Sequence, residues 1–197
     1  MKKYLKYVPN ILTIIRFLLI PIIITLISSR QYVEAIIVFS ISGITDILDG
    51  TIARKFDFIS DFGKLMDPLA DKLTQLSMLL MLTIKKIIPI WIVLVVFIKE
   101  LCMICGASFL YGKDLVVSSK WYGKLATTLF YLAIVVSLVL KEIEPTILAS
   151  QAVGDSSKPW FLYIALPIYC IAILMTLFSL VMYVKAFYVQ GYLKKNA

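Results

Sequence analysis

No histidine occurs in this chain of 197 residues. Its absence excludes a histidine general base, a histidine-ligated zinc site and a serine–histidine–aspartate triad. Acid–base chemistry is left to carboxylates, lysine, tyrosine or bound water. Cysteine is scarce as well, with three in all. Cys102 and Cys105 form a C-x2-C inside an apolar run, with no second cysteine pair near them. They read as small side chains, buried or facing lipid, rather than as a redox or metal motif. Charged residues make up only 16% of the chain, and acid is the scarcer sign, with 12 Asp and Glu against 20 Lys and Arg. There is no low-complexity tract and no persuasive internal repeat.

What remains is apolar. The chain is 61% hydrophobic, with a mean hydropathy of +0.94. A bilayer core of roughly 30 Å is crossed by about 20 apolar residues in a helix. On that measure the sequence predicts an all-α, polytopic membrane protein, a bundle of six transmembrane helices. They fall near Pro9–Ser28, Tyr32–Arg54, Leu65–Ile84, Pro89–Tyr111, Trp121–Leu140 and Trp160–Tyr188. One membrane domain, 1–197, uses the whole length. No small-residue cleavage site follows the basic N-terminus, so Ile11–Ser28 reads as a retained helix. The polar stretch Glu142–Pro159 reads as the longest loop.

The net charge of +8 raises the question of nucleic acid. The lysines, however, lie in short loops and at the termini, which suits anionic lipid headgroups, and no nucleic-acid partner is expected. Lys2, Lys3, Lys6, Arg54, Lys55, Lys64, Lys113, Lys120, Lys124, Lys194 and Lys195 fall on one side. Arg30, Lys85, Lys86, Lys141 and Lys158 fall on the other. The bias places both termini in the cytoplasm.

Against this background one set of charges stands out: Asp46-x2-Asp49-Gly50-x2-Ala53-Arg54-x8-Gly63-x3-Asp67-x3-Asp71. Charges at membrane depth are costly and mark functional sites. On a helix, positions 46, 49, 50 and 53 share one face, as do 63, 67 and 71. Two helices then present two Asp each, near the cytoplasmic surface, with small residues between them. Converging carboxylates repel unless they bind cations, and hard divalent ions with oxygen ligands are the natural solution. Gly50 and Ala53 leave room for a ligand or a second helix. Arg54 offers a planar fork suited to phosphate.

At these residues the sequence resembles the CDP-alcohol phosphotransferase family, whose signature D-x2-D-G-x2-A-R-x8/9-G-x3-D-x3-D is matched at every fixed position. The signature covers residues 46–71, and the six-helix layout resembles the family over nearly the whole chain. The resemblance implies transfer of a phosphoalcohol or phosphatidyl group from a CDP-linked donor to a hydroxyl, with release of CMP. It implies that Asp46, Asp49, Asp67 and Asp71 hold two Mg²⁺ (or Mn²⁺), and that Asp71 is also the general base. It places Gly50, Ala53, Arg54 and Gly63 along the CDP donor, with Asn10, Thr13 and Ser60 as further donor contacts. It also implies a homodimer.

Ser118-x2-Trp121-x-Gly123-Lys124-x2-Thr127 resembles an element of a bacterial subgroup whose acceptor carries its own phosphate, with Ala126 where a second lysine is usual. Lys99-Glu100 resembles that subgroup's basic–acidic pair. The resemblance implies CDP-diacylglycerol as donor, sn-glycerol 3-phosphate as acceptor, and the bacterial cytoplasmic membrane as location. Ser119, Lys120, Lys124 and Arg16 are the candidate acceptor-phosphate residues. Inositol phosphate, serine or phosphatidylglycerol are alternative acceptors. A divalent-cation transporter using the same four Asp is the alternative from another class.

Overall fold

The computed structural model describes residues 8–56, 61–110, 121–150 and 161–195, with side chains mainly within 11–46, 66–103, 121–145 and 163–185. Six long α-helices account for nearly all of them: α1 Val8–Ser28, α2 Tyr32–Phe56, α3 Asp61–Ile84, α4 Ile90–Leu110, α5 Trp121–Ser150 and α6 Leu166–Lys195. A π-helical turn, Phe161–Ala165, leads into α6. No strand occurs among the described residues, and the all-α expectation is met.

Among the described residues, three stretches are long and apolar enough to cross a membrane: Ile11–Ser28, Trp121–Pro145 and Tyr163–Met182. Large apolar side chains lie open on their outer faces, Leu18 at 61% and Leu174 at 66% exposure. Such surfaces suit lipid rather than water.

Three boundaries depart from the sequence reading by four residues or more, and one of them is the end of α6, at Lys195 rather than Tyr188. Helix α3 starts four residues earlier, at Asp61, which puts Gly63 inside its first turn. Helix α5 runs on to Ser150, through residues expected to form a loop. There Lys141 pairs with Glu144 one turn on, the kind of contact that sustains a polar helical stretch. Pro145 removes the donor for the Lys141 carbonyl without ending the helix.

The described chain falls into two compact units. In the first, Met1–Ile88 with Leu138–Ala152, α1 packs against both α2 and α3. The contacts follow helical stripes. Thr13, Arg16, Ile23 and Ile27 are buried on α1, Ala35, Phe39 and Ser42 on α2, and Ala70, Thr74, Met78 and Leu82 on α3. Ala35 and Ala70 have no exposed surface, and such small residues let helix backbones approach where no water drives them together. Extended by one turn, the α2 stripe reaches Asp46. Extended backwards, the α3 stripe reaches Asp67 and Asp71.

In the second unit, Pro89–Ser137 with Val153–Ala197, α4 packs against α6. Ser137 and Tyr169 share a buried hydrogen bond of 3.2 Å. Tyr122 meets Phe178 edge-on at 5.7 Å between ring centroids.

Helices α1 and α3 end alike. Arg30 and Lys86 adopt left-handed backbone, φ 62° and 57°. Their amides, and those of the next residues, bond back to the last turn: Arg30 to Ile27 at 3.1 Å, Gln31 to Leu26 at 2.9 Å, Lys86 to Thr83 at 2.9 Å and Ile87 to Leu82 at 2.8 Å. This is the Schellman arrangement, which usually carries glycine. The Lys85 ammonium then donates to the Ser28 carbonyl at 2.7 Å, joining the end of α3 to the end of α1. Replacing Lys86 by Gly removes the left-handed strain and should stabilise the protein by about 1 kcal/mol. The measurement is the thermal midpoint in detergent, and an unchanged or lower midpoint would contradict the strain.

Candidate active site

The buried stripe of α1 is apolar except at Thr13 and Arg16, three residues apart on one face. A guanidinium cannot be deprotonated, so burying it demands anionic partners. The flanking helices supply them. Arg16 Nη1 donates to Asp46 Oδ1 on α2 at 2.6 Å. Arg16 Nη2 donates to Asp67 Oδ1 on α3 at 3.4 Å. The Thr13 hydroxyl donates to the same Asp67 oxygen. One cation on α1 therefore gathers carboxylates from the two helices that pack against it.

The arrangement has an inside and an outside. The Arg16 side chain is 1% exposed, while those of Asp46 and Asp67 are 43% and 32% exposed. Asp67 and Asp71 both act electrostatically on Asp46, and Asp71 is half-buried one turn beyond Asp67. Three of the four motif carboxylates thus share one end of the first unit.

The remaining site residues divide by where they lie. Asp49, Gly50, Ala53 and Arg54 belong to α2, Gly63 to α3 and Asn10 to α1, with their side chains outside the described ones. Ser60, Ser119 and Lys120 lie outside the described residues altogether. Lys124 is exposed in the first turns of α5. Arg16, grouped by sequence with the acceptor-phosphate residues, has Asp46 and Asp67 as partners. Thr13, grouped with the donor contacts, holds Asp67. On α4, Lys99 pairs with the buried Glu100 at 2.6 Å.

Sequence reasoning missed the bridging role of Arg16. The signal was present: Thr13-x2-Arg16 puts two polar groups on one face of a helix that is otherwise apolar there. Among the described residues no three Asp, Glu or Cys side chains gather closely enough to hold a metal ion. The donor chemistry nevertheless fits one. Asp46 and Asp67 offer hard oxygens, both are partly open, and both contact the Arg16 guanidinium.

Comparison with known proteins identifies the family. A family model described as CDP-alcohol phosphatidyltransferase matches residues 6–190. A CMP-forming cardiolipin synthase of Streptomyces coelicolor is 38% identical over 47% of this chain and 46% of its own length. A CDP-diacylglycerol–glycerol-3-phosphate 3-phosphatidyltransferase of Bacillus subtilis is 31% identical over 60% of this chain and 69% of its own. The enzyme of that name from Treponema pallidum is 28% identical over 79% of this chain and 70% of its own. The matched region thus spans from 46% to 70% of the length of these relatives.

Proposed function

The chain belongs to the CDP-alcohol phosphatidyltransferase family, and from that premise we propose that it transfers the phosphatidyl group of CDP-diacylglycerol to sn-glycerol 3-phosphate. The products are phosphatidylglycerophosphate and CMP. The observation that carries this reading is the convergence of Asp46 and Asp67, from two helices, at the partly open end of a membrane-protein unit. The names of the Bacillus subtilis and Treponema pallidum relatives support the acceptor.

In this reading Asp71 accepts the proton of the attacking hydroxyl. The acceptor oxygen forms a bond to the lipid-linked phosphorus, and the bond from that phosphorus to the CMP oxygen breaks. Asp46, Asp49, Asp67 and Asp71 would hold two Mg²⁺ or Mn²⁺ ions, whose chemistry is to neutralise the charge of a diphosphate and of its leaving group. Thr13 keeps Asp67 turned toward the site. Gly50, Ala53 and Gly63 leave space for the donor, with Asn10, Arg54 and Ser60 along it. Ser119, Lys120 and Lys124 receive the acceptor phosphate, a dianion that needs fixed cations. The acyl chains stay in the bilayer, and CMP leaves toward the cytosol, where both termini lie. The assembly is a homodimer in the bacterial cytoplasmic membrane.

A second acceptor is favoured by one finding: the Streptomyces coelicolor relative carries the name of a cardiolipin synthase, which points to phosphatidylglycerol. The deciding experiment is an acceptor screen with one radiolabelled CDP-diacylglycerol, offering glycerol 3-phosphate, phosphatidylglycerol, inositol phosphate and serine. CMP release with glycerol 3-phosphate alone supports the proposal. Release with phosphatidylglycerol alone replaces it with the second reading. Mn²⁺ flux into liposomes without CMP release from any acceptor would make the protein a cation transporter.

The lysine assignment has its own test. Lys124→Ala should raise the KM for glycerol 3-phosphate about tenfold, the loss of one charge-assisted contact worth roughly 1.5 kcal/mol. The KM for CDP-diacylglycerol should not change. An unaltered acceptor KM would take Lys124 out of the site.

A further inference from the structure

The proposed chemistry leaves Arg16 without a task, although it is the most deeply buried charged group among the described residues of the first unit. It stands on α1, which brings none of the four motif carboxylates. Its partners include two of those carboxylates, one from each neighbouring helix. The partners are open to solvent by 32% and 43% while Arg16 is closed off. The guanidinium therefore approaches them from within the helix packing, and their open side faces away from it.

We propose that Arg16 is a positioning residue. It is a resident cation that holds Asp46 and Asp67 together before a divalent ion binds, and it competes with that ion for the charge of the same two carboxylates. The proposal rests on the metal-binding reading of these residues given above.

The physics has two sides. Without a cation between them, two carboxylates from packed helices repel, and the helix ends that carry them separate. A paired guanidinium prevents this and stabilises the metal-free protein. A divalent ion arriving at the open side then meets carboxylates already partly neutralised, and gains less than it would from bare ones. The coupling is reciprocal: each cation weakens the other's hold by the same factor. The site stays assembled when empty, at the cost of weaker metal binding. A residue that merely filled space on α1 would influence the fold but not the metal affinity in this direction.

The test uses the full chain in detergent micelles, with Mn²⁺ as the probe and free Mn²⁺ read by electron paramagnetic resonance. Arg16→Met keeps an unbranched apolar stem, shorter than arginine, and removes the charge. It should bind Mn²⁺ about tenfold more tightly than the wild type, a typical size for coupling between two sites. It should also unfold at a lower temperature in EDTA, with the gap closing at saturating Mn²⁺. Arg16→Lys keeps the charge and should stay within about twofold of the wild-type Mn²⁺ affinity on that coupling argument. If Arg16→Met cannot be purified, Arg16→Gln carries the same comparison. Equal or weaker Mn²⁺ binding by the neutral variant overturns the assignment of Arg16 while leaving the metal reading intact. A wild type that binds no Mn²⁺ removes the metal reading itself, and the competition with it.

Discussion

Asp71→Asn should lower CMP release by about a thousandfold or more, since a positioned base contributes on the order of 10²–10⁴ and its charge is lost as well. The substitution keeps the shape of the side chain and removes both its basicity and its negative charge. Asp71 lies one helical turn beyond Asp67, half-buried, on the side of α3 that continues the packed stripe. The fold itself should tolerate the change. The side chain is half-buried rather than enclosed, and its negative charge acts on Asp46, so neutralising it relieves repulsion. Size exclusion in detergent and the helical circular dichroism should match the wild type. Turnover within tenfold of the wild type, on well-folded protein, would assign the base elsewhere.

Removal of divalent cations should have an effect of similar size. In EDTA, CMP release should fall by roughly a thousandfold, on the order of 4 kcal/mol of lost charge stabilisation. Mg²⁺ or Mn²⁺ should restore it. The reasoning is electrostatic. Asp46, Asp49, Asp67 and Asp71 carry four negative charges when ionised, and the described structure sets the cation Arg16 against Asp46 and Asp67. A diphosphate approaching that end is repelled unless further positive charge is present. Retention of full activity in chelator, with total metal checked by elemental analysis, would show that arginine and lysine suffice. The two experiments separate the parts of the reading: the first concerns one proton, the second the charge of the whole cluster.

Much of this was legible in the residues. The apolar runs announced helices α1 to α4 to within a few positions, because a chain this hydrophobic has few other ways to satisfy its backbone. The acid spacing also carried over. Asp46 and Asp67 continue the buried stripes of α2 and α3, so the periodicity that packs the helices also aims the carboxylates. Three things were not legible. The length of α5 was hidden by Lys141, Glu142, Glu144 and Pro145, which read as a loop although the Lys141–Glu144 pair fits a helix. The ends of α1 and α3, Ser28 and Ile84, were read correctly, but their left-handed caps were hidden because Arg30 and Lys86 stand where glycine is usual. The partners of Arg16 were hidden because α1 meets both α2 and α3 only in three dimensions, 30 and 51 residues along the chain from Arg16.

The fastening of Lys85 to Ser28 sits at the far end of α1 from Thr13 and Arg16, a distance of roughly 20 Å at 1.5 Å per residue. The first unit is therefore cross-tied near both extremities of α1, by an ammonium on a carbonyl at one and by a guanidinium on two carboxylates at the other, with an apolar seam between. A helix held in this way at two levels has little freedom to slide along its neighbours.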